Sequence, residues 1–203
     1  FKSEIKGIRY EESKDFVASR SKDYFWYSPI LQDELEDKVG DLVVIPENEN
    51  EIKRIASAVA KFKIPLTLRG GGTGNYGQCV PLEGGVIMIM TKLNKIIKFK
   101  KNSVLTQSGI RISRLDDAAI EKDLELLMYP STRQTATIGG FLAGGSGGCG
   151  PLRNGMLRDP GNIHYLKILT IEENPKIIEL FDEDIQKVQH AYGTNGIILE
   201  MEL

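Results

Sequence analysis

Ile64-Pro65-Leu66-Thr67-Leu68-Arg69-Gly70-Gly71-Gly72-Thr73-Gly74-Asn75-Tyr76-Gly77-Gln78 runs from a short alternating stretch into a segment almost bare of side chains. Five of the eight residues from 70 to 77 are glycine. Glycine loses more backbone freedom on folding than any other residue, so this density is expensive for an ordinary turn. With no Cβ in the way, successive N–H groups stay exposed and the chain can reach positive φ, the arrangement that wraps the oxygens of a phosphate. The segment reads as an anion-binding loop at the carboxyl end of a strand, where ligands of parallel sheets gather.

Gly72-Thr73-Gly74-Asn75-Tyr76-Gly77 matches G-x-G-x-x-G. That fingerprint binds a dinucleotide only when its glycines open a helix and an acidic residue follows about 20 residues later. Here Val80-Pro81-Leu82-Glu83-Gly84-Gly85 and the apolar run Val86 to Met90 follow, a turn and then a buried strand. A nicotinamide-binding domain is therefore disfavoured. No Gly-Lys-Ser/Thr follows the glycines, which excludes a P-loop. A second match, Gly145 to Gly150, shows how little one such motif means in a glycine-rich chain.

More informative is a second small-residue segment, Thr137-Ile138-Gly139-Gly140-Phe141-Leu142-Ala143-Gly144-Gly145-Ser146-Gly147-Gly148. Hydroxyls accompany both segments: Thr73 in the first, and Ser131, Thr132, Thr137 and Ser146 around the second. Two such loops can enclose a long, flat, phosphorylated ligand along its length. The bland alternatives are a tight turn for the first and a close crossing of two backbones for the second.

Four blocks in order carry a family resemblance: Val44-Ile45-Pro46 leading into a helix, Arg69-Gly70-Gly71-Gly72-Thr73-Gly74, the segment Pro130 to Gly148, and Tyr192-Gly193-Thr194-Asn195-Gly196-Ile197-Ile198. Across residues 41–203 the chain resembles the flavin-binding half of the vanillyl-alcohol oxidase and p-cresol methylhydroxylase family, which includes D-lactate dehydrogenases and the flavin subunit of glycolate oxidase. The resemblance implies an α+β fold of two lobes clasping FAD. It places the pyrophosphate on the backbone of Gly70, Gly71, Gly72, Thr73 and Gly74, with Arg69 and Gln78 in the same block. Pro130, Ser131, Thr137, Gly139 and Gly140 fall to the ring and ribityl chain, with Ala143, Gly144 and Gly145 continuing that block. Gly196, Ile197 and Ile198 fall to the adenine edge, although an ordinary Asn-Gly turn entering a strand reads the same way. Relatives commonly carry asparagine where Gly145 stands. Some carry a histidine near the first loop that bonds covalently to the flavin; this block has none, so a dissociable FAD is expected.

By the same resemblance, a hydride passes from a small 2-hydroxy acid, such as D-lactate or glycolate, to the flavin. In relatives a further segment caps the ring and supplies the base, so no catalytic residue is named here and little turnover is expected of these 203 residues alone. The alternative is a non-catalytic flavin-binding module or a subunit of a larger complex; the electron acceptor and any homo-oligomer are left open.

Composition sets outer bounds. A net charge of -2 argues against a nucleic-acid partner, and the one basic run, Lys98-Phe99-Lys100-Lys101, reads as a solvated strand end. No apolar stretch reaches the ~18 residues of a membrane span. Two cysteines, Cys79 and Cys149, sit in no metal-ligand spacing and make no disulfide framework, which fits a cytoplasmic protein, peripheral at the inner membrane at most. His164 and His190 lie outside the glycine blocks and read as structural.

The chain divides by pattern into an N-terminal helical and aromatic segment (1–40, with Tyr24, Phe25, Trp26 and Tyr27), a first lobe (41–110) and a second (111–203). In the first lobe, Asn48 and Glu51 form a capping pair before Ile52, Ile55, Ala56 and Val59, which share one helical face. Strands follow at 64–68 and 86–90, and a strand pair at 95–99 and 104–108 closes that lobe. The second lobe opens with a helix facing inward through Ile112, Leu115 and Ala119. A hairpin then spans 164–180, Asp182 caps a short helix, and residues 197–203 alternate as a strand.

Overall fold

The computed structural model describes residues 1–24 and 28–203. Phe25, Trp26 and Tyr27 of the aromatic cluster lie outside the described residues, and Tyr24 is exposed. The N-terminal part contributes a two-residue strand, β1 (Tyr10–Glu11), and two short helices, α1 (Lys14–Arg20) and α2 (Pro29–Leu35).

From residue 42 the alternation expected of a β-α-β unit is present: β2 (Leu42–Val44), α3 (Glu49–Phe62), β3 (Leu66–Arg69) and β4 (Val86–Ile89). Among the described residues these strands form a sheet in the order β1-β2-β4-β3, with β4 parallel to both β2 and β3. The start of α3 is fixed as anticipated. Asn48 Oδ1 accepts from the Glu51 N–H (3.0 Å), and the Glu51 carboxylate accepts from the Glu47 N–H (2.8 Å), satisfying groups that a helix start leaves unpaired. Ile52, Ile55, Ala56 and Val59 are buried against the sheet.

The second sheet is antiparallel, in the order β5-β6-β9-β7-β8, from β5 (Ile96–Phe99), β6 (Val104–Gln107), β7 (Tyr165–Leu169), β8 (Ile177–Leu180) and β9 (Ile197–Glu202). This corrects the placement of the β5–β6 pair in the first lobe. β6 pairs with β9 in the register Leu105↔Glu202 and Thr106↔Met201, so the hairpin belongs to the second sheet. Glu202 holds it there through Lys100 Nζ and Ser103 Oγ, both at 2.7 Å, and Val104 shares a core with Met201.

The two sheets are not independent bodies. Ile198 and Met201 of β9 pack with α4 (Ile112–Ile120) and α5 (Ile138–Gly144), whereas Ile197 and Leu199 join Leu169 of β7 in the core around α3. An irregularity in the β7–β9 register between Lys167 and Ile168 accompanies this switch of faces. Polar contacts reinforce it: Lys167 Nζ meets Glu49 of α3 at 2.6 Å, and Ser57 Oγ donates to the Glu173 carbonyl at 2.6 Å.

A shorter helix, α6 (Pro151–Asn154), follows the second glycine segment. The turn after β8 is a 3-10 helix (Asp182–Lys187). Asp182 does not cap it. Phe181 occupies the cap position without a side-chain hydrogen bond, and Asp182 lies inside the helix at φ 48°; Ile185 and Val188 still point inward. Among the described residues no helix is long and apolar enough to cross a membrane, and no group of His, Cys, Asp and Glu is placed to hold a metal ion.

Candidate functional site

β3 delivers the first glycine segment to the carboxyl edge of the parallel sheet, where the Met90 N–H still bonds the Arg69 carbonyl (2.9 Å). Beyond that point the loop is held from its far side. The Asp23 carboxylate accepts from the Gly77 N–H (2.9 Å), Gln78 Oε1 accepts from the Tyr76 N–H (3.0 Å), and the Gly74 carbonyl accepts from the Tyr24 N–H (2.8 Å). Among the described residues, no intramolecular hydrogen bond uses the N–H groups of Gly70, Gly71, Gly72, Thr73 or Gly74. Five consecutive unspent donors, in a loop whose flanks are tied down, are chemically suited to an anion.

The second segment lies directly against the first. A Cβ on Gly70 would meet Thr137 Oγ1 at 2.2 Å, and one on Gly71 would meet the Thr135 carbonyl oxygen at 2.1 Å. Only glycine permits that approach. Thr137 caps α5, its hydroxyl accepting from the Gly140 N–H (3.3 Å), while the Gly139 N–H donates to the Ser108 carbonyl (2.8 Å). The third block is bound to the other end of α5: the His190 and Tyr192 N–H groups donate to the Leu142 and Ala143 carbonyls, both at 3.1 Å. Three segments distant in sequence thus line one groove, with about 820 Å³ of empty space including its open mouth.

Of the residues expected at a cofactor, the groove brings together Gly70, Gly71, Gly72, Thr73, Gly74, Gln78, Thr137, Gly139, Gly140, Ala143, Gly144, Gly196, Ile197 and Ile198. Arg69, Pro130, Ser131 and Gly145 do not line it. Arg69 is buried beneath the loop, donating to the carbonyls of Arg20 (3.0 Å) and Lys22 (2.6 Å) and to Cys79 Sγ (3.2 Å), with its guanidinium filling the space under Gly72. Pro130 is buried beside Gly148, and Ser131 is exposed. Gly145 closes α5 in the left-handed conformation, φ 64°, and any Cβ there would meet the His190 ring at 2.2 Å. His190 therefore abuts the second glycine block instead of lying apart from it, and its ring occupies the space an asparagine at 145 would need.

Residues not anticipated also line the groove: Leu68, Cys79, Met90, Ser108, Tyr192 and Gly193. Tyr192 and Gly193 belong to a block already marked, so their neighbours could have flagged them. Ser108 carries no signal in the sequence.

Among the described residues, no carboxylate, imidazole, ammonium or guanidinium lines the groove, and its ionisable members are Cys79 and Tyr192. Burial pushes the Cys79 thiol up from 9.0 to about 11, outweighing the neighbouring Arg69 charge. A folded-state pKa raised above the unfolded value means the stabilisation is complete below about pH 9 and is lost as pH climbs toward 11. Cys79→Ala is expected to remove up to about 2 kcal/mol of the alkaline loss seen in denaturant unfolding at successive pH values. In the native protein only Cys149, which is exposed, should react promptly with a thiol reagent.

The family profile described as FAD binding domain matches residues 40–179. The chain belongs to the FAD binding domain family. Its cofactor is accordingly FAD, and the unspent N–H groups and the glycine-rich, largely apolar walls of the groove fit that group. The domain is 31% identical over 152 residues to a D-lactate dehydrogenase of Archaeoglobus fulgidus, covering 74% of this chain and 30% of that protein. It is 31% identical over 121 residues to the glycolate oxidase subunit GlcD of Bacillus subtilis, covering 59% of this chain and 26% of that subunit. The chain thus spans about a third or less of these relatives. Among solved structures, an alkyldihydroxyacetonephosphate synthase superposes with a TM-score of 0.79 at 22% identity, over 95% of this chain and 37% of the other, which establishes the shared fold.

Proposed function

We propose that this FAD binding domain holds its cofactor non-covalently in the groove between the two glycine segments, as part of an oxidoreductase that oxidises a small 2-hydroxy acid. The observation that carries the binding mode is the row of unspent N–H groups from Gly70 to Gly74 in a loop that packs, at Gly70 and Gly71, directly on the second segment. Those donors suit the diphosphate. The bare backbone around Gly139, Gly140 and Gly144 suits a flat ring system, and Gly196, Ile197 and Ile198 form the remaining wall.

FAD, when bound, supplies the acceptor for a hydride. The residues of this chain bind and orient it and shield one side of it from water. The substrate class comes from relatives named D-lactate dehydrogenase and glycolate oxidase subunit. A cytoplasmic setting fits two cysteines that are both free.

Mixed with excess FAD and desalted, the protein is expected to retain a shifted flavin spectrum at close to equal molarity, and acid denaturation should release all of the flavin. A colourless protein after desalting would refute the binding mode; flavin remaining on the precipitate would refute its non-covalent character. The substrate class is tested on the full-length gene product by anaerobic bleaching of the flavin with D-lactate or glycolate. Failure of both to bleach it would favour the second reading, a non-catalytic flavin module.

A further inference from the structure

We infer that the Tyr192 side chain is an aromatic wall of the groove that packs on a planar ring of the cofactor, an inference that rests on FAD occupying the groove. Among the described residues, Tyr192 is the one aromatic member of the groove lining, and it is 46% exposed. Its two ends fix where it lies. At the backbone, the Tyr192 N–H donates to the Ala143 carbonyl (3.1 Å). At the tip, its hydroxyl is 3.3 Å from His190 Nε2, and the His190 ring fills the place that a side chain at Gly145 would take. The phenol therefore spans the end of α5 from Ala143 toward Gly145, past Gly144, which lines the groove and whose side-chain direction is empty.

The tip is anchored from behind. Arginine only donates, so His190 Nδ1, 2.5 Å from Arg158 Nη1, is the acceptor there; the ring proton then sits on Nε2 and is donated to the Tyr192 oxygen. The backbone supplies the second observation. Tyr192 has φ 51° and His190 has φ 53°, a left-handed region that bulky residues rarely occupy and that glycine enters freely. The fold by itself would be served better by glycine at 192. Burial does not offset the strain, because nearly half of the side chain is open to water. Strained residues of this kind persist where a ligand site uses them. An anchored, exposed ring beside the bare backbone of Gly144 is accounted for by a planar partner that covers it.

The test compares Tyr192→Gly and Tyr192→Phe, with FAD affinity measured by titration calorimetry, the emission of bound flavin recorded, and urea unfolding followed on protein freed of flavin by dialysis. Tyr192→Gly should raise the dissociation constant about tenfold, equivalent to about 1.4 kcal/mol and within the range for stacking on an aromatic side chain. Its flavin-free midpoint should hold, since glycine takes φ 51° without strain. Tyr192→Phe keeps the ring and should bind within about twofold of wild type. Bound-flavin emission that recovers in the glycine variant assigns the contact to the isoalloxazine, which a touching phenol quenches; weakened binding with unchanged emission assigns it to the adenine. An unchanged dissociation constant in Tyr192→Gly overturns the inference. So does a clearly lowered flavin-free midpoint, which would mean that the side chain serves the fold, and so does a loss in Tyr192→Phe as large as that in Tyr192→Gly. Wild-type protein that binds no FAD refutes the binding mode itself, whereas wild type that binds and a glycine variant that binds equally well refute only the role of Tyr192.

Discussion

Gly71→Ala is expected to abolish flavin retention and to cost the fold about 3 kcal/mol, the upper end for overpacking. The added methyl would stand 2.1 Å from the Thr135 carbonyl oxygen, 2.8 Å from its carbon and 3.0 Å from the Ala136 Cα. All three are backbone atoms, so no rotamer change relieves the clash and the two glycine segments must part. Parting them opens the groove where the loop with the unspent N–H groups packs on the second segment, and affinity should fall on the order of a hundredfold. Gly144→Leu makes the complementary case, because Gly144 also lines the groove but a Cβ there has nothing within 4 Å. That variant should fold normally and lose flavin by filling the space. Titration calorimetry with FAD, alongside urea unfolding, separates the two effects. Gly71→Ala protein that binds FAD like wild type would sink the contact-based account of the site.

Arg69→Met should destabilise the protein by about 3 kcal/mol without introducing any bulk. The guanidinium is the common partner of the Arg20 and Lys22 carbonyls and supports Gly72 from below. Removing it leaves those two carbonyls short of a donor and loosens the segment that carries Asp23 and Tyr24, which in turn hold Gly77 and Gly74. Hydrogen exchange should therefore quicken first around residues 20–24 and 72–77, ahead of the sheet. A loss below about 1 kcal/mol, or exchange that is unchanged there, would show that Arg69 is not what fastens the N-terminal segment to the loop. The arginine stands in the glycine block yet works through the loop it supports.

Much of this protein is readable one segment at a time. The β-α-β unit, the inward face of α3 with its Asn48–Glu51 cap, the hairpin of β7 and β8, and the two glycine segments all follow from periodicity, capping chemistry and the missing Cβ, which act over a few residues. The resemblance carried by four ordered blocks added the cofactor. Other features depend on what packs against a residue from far along the chain. That β6 lies beside β9, and so belongs to the second sheet, follows from the burial of Val104 with Met201 and from Glu202 binding Lys100 and Ser103. That Arg69 turns under the loop, and that His190 fills the space beside Gly145, is likewise decided by neighbours that no local pattern identifies.

The amino-acid sequence by itself determined where the chain could bend without side chains and which faces of its helices and strands had to leave water. The tertiary structure alone decided that three such segments share one groove and that Arg69 turns beneath it. The reason is that backbone permissiveness and hydrophobic period are properties of neighbours in the chain, whereas a shared groove is a property of neighbours in space.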